Sequence, residues 1–197
     1  GNYAGAIDVV RLRRWIQDGG TLITMGESTR WATREDVQLL ATRAELRAGS
    51  REEGAAAPPA PSPDSQPITY LDAIAPDREA PEAVPGALVN VRADTSHVLA
   101  AGTRGALAAM VNSSRIFAPL TLDRGTNVAR YAEVDDLLAS GIIWEDTRPQ
   151  LASKAYLMHQ PLGRGRVVAF AEDPNFRGYA EATMLLFMNA VLLAPGF

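Results

Sequence analysis

Few residues in this chain have chemistry to offer, and their spacing is loose. Ser28 follows the apolar run Thr21-Leu22-Ile23-Thr24-Met25. A strand-to-helix turn at that point could hold a nucleophile, with His97 and Asp94 or Asp173 supplying a base and a group to orient it. The local sequence Gly26-Glu27-Ser28-Thr29-Arg30 lacks the second glycine of the G-x-S-x-G turn. Ser28 is more simply an N-cap, accepting from amide hydrogens that the first turn of a helix leaves unpaired. Asp94 and His97 stand three residues apart after a predicted strand. They could contact each other or offer two metal ligands, but no third ligand follows from the spacing, and pairing within a turn is the simpler reading. His159, after Ala155-Tyr156-Leu157-Met158, reads as a hydrogen-bonded structural residue at a strand edge.

A second group lies near the end of the chain. Glu172 and Asp173 come just after the apolar run Val167 to Ala171, where the ligand crevice of an open α/β sheet is usually found. Arg177 could neutralise them or bind an anion. The plainer alternative is an Asp-Pro turn with Asp173 capping and Arg177 bridging to it. Glu27, Trp31, Asp173 and Arg177 would together make a carbohydrate or peptide site if the fold gathered them. Gly163-Arg164-Gly165-Arg166 precedes a strand, whereas a phosphate cradle follows one and opens a helix. It reads as a tight turn between paired strands.

The elements that must position these residues fit one domain. The 197 residues, 47% hydrophobic, suffice for a single sizeable core. A net charge of -4 with scattered arginines gives no basic field for nucleic acid. Without cysteine there is no disulfide, thiolate metal site or cysteine nucleophile. No apolar run reaches the roughly 20 residues of a membrane span, and no signal-peptide pattern opens the chain. An export signal would lie upstream.

The periodicity predicts a helix over Ile7 to Gln17, stopped by Gly19-Gly20, then a strand over Thr21 to Met25. Thr33 to Arg47 is helix-compatible. Residues 48–67 are Ala/Pro/Ser-rich and predict a flexible insertion, with prolines continuing to Pro85. Strands follow at Ala87 to Val91, Ala109 to Phe117, Asn127 to Ala132, Lys154 to Gln160 and Val167 to Ala171, with a helical turn at Val134 to Ala139. Ala180 to Leu193, apolar nearly all round, predicts a buried central helix. Continuous apolar strands alternating with helices predict an α/β fold with a mostly parallel sheet.

Leu12 to Met25, Pro85 to Gly102, Ser140-Gly141 and Gly163 to Asn189 resemble, in the same order, the C-terminal portion of bacterial zinc-carboxypeptidase-like proteins. The most specific stretch is Asp173-Pro174-Asn175-Phe176-Arg177-Gly178 before Leu186-Phe187-Met188-Asn189-Ala190. In that family a carboxypeptidase A-like domain precedes a region similar to class I glutamine amidotransferases, with a three-layer flavodoxin-like fold. The resemblance implies a secreted or periplasmic protein whose zinc belongs to the parent's catalytic domain, with no cofactor in this chain. It also implies a strand like Thr21 to Met25 that ends, in active amidotransferases, at a cysteine nucleophile on a sharp turn. Here Gly26-Glu27-Ser28 stands there, so the resemblance implies a non-catalytic accessory domain. Its partners would be the parent's catalytic domain, another chain or a second copy, and the early strands of the family's sheet would be missing or supplied by a neighbour.

Overall fold

The computed structural model describes residues 3–47 and 80–196. The predicted insertion at 48–67 lies outside the described residues. Helix α1 (Val9–Gln17) begins where the Asp8 carboxylate accepts the Arg11 N–H at 3.0 Å. It ends at Gly19, whose φ of 120° suits glycine, and leads into β1 (Thr21–Met25) and α2 (Glu27–Thr33). Strands β2 (Ala87–Ala93), β3 (Ala106–Val111), β4 (Thr126–Tyr131) and β5 (Leu138–Gly141) follow. Helix α3 (Thr147–Leu151), strands β6 (Ala155–Leu162) and β7 (Gly165–Phe170), and helix α4 (Glu181–Leu192) complete the order.

The seven strands form one sheet in the order β1-β7-β6-β4-β2-β3, with β5 end to end with β4 along one side of β2. The α/β class holds, but the expected parallel sheet does not. β1 and β7 are parallel, from Thr21 opposite Arg166 to Met25 opposite Phe170, and every other pairing is antiparallel. The misleading signal was the unbroken apolar run in β7. Such runs report cover on both faces, and an antiparallel strand under helices shows them equally. The turn at Gly163-Arg164 joins β6 and β7 as a hairpin, as its sequence predicted.

Cover on both faces follows from side-chain direction, because neighbours along a strand point oppositely. Thr24 meets Thr29 of α2 at 3.0 Å between hydroxyl oxygens. Phe170, in register with Met25, points the other way and packs its ring 6.2 Å from Phe187 of α4. Edge-on rings continue through Tyr156, 6.4 Å from Phe170, to Tyr131, 5.6 Å further. These rings are fully buried in β4, β6 and β7 and form the middle of the core.

Two predicted helices are corrected. The segment after α2 is irregular, although Val37, Leu39, Leu40 and Leu46 are buried as their periodicity suggested. Tertiary bonds replace the helical ladder. The Arg13 guanidinium donates to the carbonyls of Val37 and Gln38 at 2.6 and 2.8 Å, and the Gln160 side chain accepts from Ala41 N–H at 2.7 Å. Helix α4 is not a buried central helix. Leu186 and Ala190 are buried, while Leu185, Met188, Val191 and Leu192 point outward from the sheet and are 36 to 67% exposed. Among the described residues no helix is long and apolar enough to cross a membrane.

Candidate functional site

β1 runs straight into α2 through Gly26, with no loop between them. Gly26 adopts φ 54° and ψ -116°, outside the left-handed helical well and strained for any residue with a Cβ. Its N–H donates to Phe170 O at 3.1 Å, and its carbonyl accepts the Arg30 N–H at 3.1 Å. This is a sharp strand-to-helix turn of the kind that carries an exposed nucleophile in hydrolases. Here the turn carries no side chain. A Cβ on Gly26 would lie 3.3 Å from the guanidinium carbon of Arg115.

Arg115 lies beyond β3, in a turn started by Ser113, whose oxygen accepts the Arg115 N–H at 3.1 Å. Its Nη1 donates to Glu27 Oε1 at 3.0 Å and its Nη2 to Glu172 Oε2 at 2.8 Å. The Ser113 hydroxyl donates to Glu172 Oε1. Glu172 is two residues beyond β7 and 1% exposed, whereas the Glu27 side chain is 69% exposed. Burial pushes the Glu172 carboxyl above its ordinary range, against the opposing pull of Arg115 and Ser113. Burial disfavours charge on Arg115 too, but Glu172 and Glu27 outweigh it and the net shift is upward. The hydroxyl of buried Tyr131 is pushed well up, first by burial and then by Glu172. Neither it nor Arg115 Nε has a hydrogen-bond partner among the described residues.

The elbow therefore holds an ion-pair cluster. A guanidinium stays protonated and is neither nucleophile nor base, and both oxygens of Glu172 are engaged.

The structure brings Glu27 and Glu172 into this cluster and leaves Ser28, Asp94, His97, His159, Asp173 and Arg177 in other contacts. Ser28 is not the cap of α2, which is Gly26. Its hydroxyl accepts the Met25 N–H and donates to Met25 O, both at 2.8 Å. Asp94 accepts from Ser96 N–H at 3.0 Å and Ser96 O–H at 2.6 Å, bonds that hold its carboxyl below the usual range. His97 turns to His159, with 3.3 Å between His97 Nε2 and His159 Nδ1. His159 is on an interior strand, opposite Val168, which is opposite Ile23 on β1. Two strand spacings make roughly 10 Å, so this pair is remote from the elbow. Asp173 accepts the Asn175 N–H at 2.9 Å, and Arg177 stacks on Phe176 at 5.2 Å. Glu172 takes its counter-charge from Arg115, not from Arg177 as the sequence suggested. Ser113 and Arg115 were missed because the predicted strand Ala109 to Phe117 ran through them. The polar run Asn112-Ser113-Ser114-Arg115 was the signal for a turn. Among the described residues no three His, Asp or Glu gather as metal ligands.

No family model matches the chain, and no curated protein matches it. Among solved structures, a cytoplasmic protein from Salmonella typhimurium superposes with a TM-score of 0.53 at 10% identity. The match covers 94% of this chain and 59% of that protein. A β-galactosidase from Bacillus circulans sp. alkalophilus gives a TM-score of 0.47 at 13% identity, covering 92% of this chain and 20% of that enzyme. The chain thus spans little more than half of the Salmonella protein, and at this identity the likeness is one of fold alone.

Proposed function

We propose that this chain is a non-catalytic, glutamine-amidotransferase-like accessory domain belonging to a secreted zinc-carboxypeptidase-like protein. It serves by packing against the parent's catalytic domain or a partner chain. The observation that supports this reading is Gly26, a nucleophile-bearing turn without a nucleophile, with the Arg115 guanidinium in van der Waals range of the missing side chain. The sequence motifs favour the family, and a glycine at the elbow supports the non-catalytic reading. Ser28 does not stand in for the nucleophile, because its proton is donated to Met25 O, not to a base, and its oxygen accepts the Met25 N–H.

The test is ammonia release from glutamine and hydrolysis of an activated nitrophenyl ester by the purified chain, alongside Ser28→Ala and His97→Ala. The expected rates equal the buffer background for all three proteins. A protein-dependent rate that disappears in Ser28→Ala, with the variant still folded, overturns the reading in favour of a hydrolase.

A further inference from the structure

His97 opens the turn after β2, and His159 sits in the middle of β6. Their rings meet edge-on, with centroids 5.2 Å apart. The neighbours fix the tautomers. His97 Nδ1 accepts the Leu99 N–H at 3.1 Å, so the proton of the neutral ring is on Nε2 and is donated to His159 Nδ1. Leu99, His97 and His159 form a chain of donors that runs one way.

One more proton does not fit this chain. On His97 it would sit at Nδ1, facing the Leu99 N–H. On His159 it would sit at Nδ1, facing the His97 Nε2–H. Moving the shared proton only carries the conflict to the other end. For the same reason the pair does not chelate a cation, since the single lone pair of neutral His97 is already committed to Leu99.

The capped turn holds α4. The Asn189 side-chain amide donates to Leu99 O at 3.0 Å and Ala101 O at 2.9 Å, and Leu99 and Ala100 are buried. We propose that the His97–His159 contact is an acid-operated latch, which keeps the 97–101 turn locked to α4 while both rings are neutral and is opened by a single proton. The surroundings oppose that proton near neutral pH. Burial lowers both imidazoles, His159 to about 4, and Arg166 of β7 and His97 itself add to the effect on His159. Asp94, in the same turn, favours a charge on His97 but is outweighed. β4 contributes uncharged Thr126 opposite His159, and α4 contributes uncharged Asn189. The element released is α4, whose outward side already exposes Leu185, Met188 and Leu192. Acid thus changes how an apolar surface is held.

Heteronuclear NMR of the full chain tests the latch, and only two histidines need assigning. At about pH 7 both rings should be Nε2–H tautomers, and on acidification the Leu99 amide and the Asn189 side-chain amide should move with the imidazoles. Hydrogen-exchange protection at 98–101 should fall about tenfold or more across that transition. His97→Asn keeps an acceptor for the Leu99 N–H and should leave 98–101 flat. His159→Gln, a non-titrating acceptor for His97, provides a second variant with the same expectation. Imidazoles that titrate independently near 6.5, Leu99 and Asn189 signals that stay still while the rings titrate, or a transition that survives in both variants would each overturn the proposal.

Discussion

Replacing Arg115 by methionine should destabilise the chain by an amount that depends on pH. Methionine keeps most of the apolar stem and removes the charge, leaving Glu172 with Ser113 as its remaining donor, in a site where its side chain is 2% exposed. A buried carboxylate stripped of its partner costs about 3–5 kcal/mol if it stays ionised. It can escape by taking up a proton. For a carboxyl with an ordinary value of 4.5, protonation at pH 7 spans two and a half units at about 1.36 kcal/mol each, a ceiling of about 3.4 kcal/mol. At pH 5 the ceiling falls to about 0.7 kcal/mol, and the upward shift already present in Glu172 lowers both figures. Urea unfolding followed by circular dichroism should therefore show a loss of up to about 3 kcal/mol at pH 7 and less than about 1 kcal/mol at pH 5. Adding Glu172→Leu should recover most of the loss at pH 7, since replacing both members of a buried pair is often neutral. An equal loss at both pH values, or a double variant as unstable as the sum of the singles, would refute the account of the cluster.

Gly26→Ala should cost about 1–3 kcal/mol from backbone strain, because φ 54° and ψ -116° disfavour any residue with a Cβ, and the added carbon would also crowd the Arg115 guanidinium; a variant with an unchanged urea midpoint would show that the turn relaxes. The pH dependence of wild-type stability follows from the same shifts. His159 is lowered to about 4 from 6.5, so the unfolded chain binds more protons between those values. Stability is complete above 6.5, lost as pH falls toward 4, and level below. The full 2.5-unit shift would be worth about 3.4 kcal/mol, discounted to about 1–2 because the ring is only half-buried. Glu172 works the other way: raised from 4.5, it favours the fold below that value and less as pH rises through its folded value. Comparing wild type with His159→Gln across this range isolates the imidazole's share, since the variant should lose the part of the acid-side slope that His159 supplies and keep that of His97.

Local signals carried much of the fold. Gly19-Gly20 marked the end of α1, and the apolar runs Thr21 to Met25 and Val167 to Ala171 marked the two parallel strands. Strand direction was not legible, because a run buried on both faces looks the same whichever way its neighbour points. Burial after Thr33 was legible at Val37, Leu39 and Leu40. The conformation there was not, because Arg13 and Gln160 supply its hydrogen bonds from 24 and about 120 residues away in sequence. The same limit applies to the elbow. Its emptiness was visible at Gly26, whereas the side chain facing it comes from position 115, and no spacing rule links the two. His97 and His159, 62 residues apart, meet only because β2 and β6 flank β4.

Ser28 has a consequence beyond the elbow. Among the described residues β1 is a margin of the sheet, and since Gly20 O and Gly26 N–H bond toward β7, the backbone groups of Thr21, Ile23 and Met25 point away from β7. The Ser28 hydroxyl occupies both outward groups of Met25. A foreign strand approaching this margin would find the ladder shortened to Thr21 and Ile23, about four hydrogen bonds, well under the length of an ordinary strand. By bonding both Met25 groups, the Ser28 hydroxyl leaves this margin fewer positions for intermolecular strand addition.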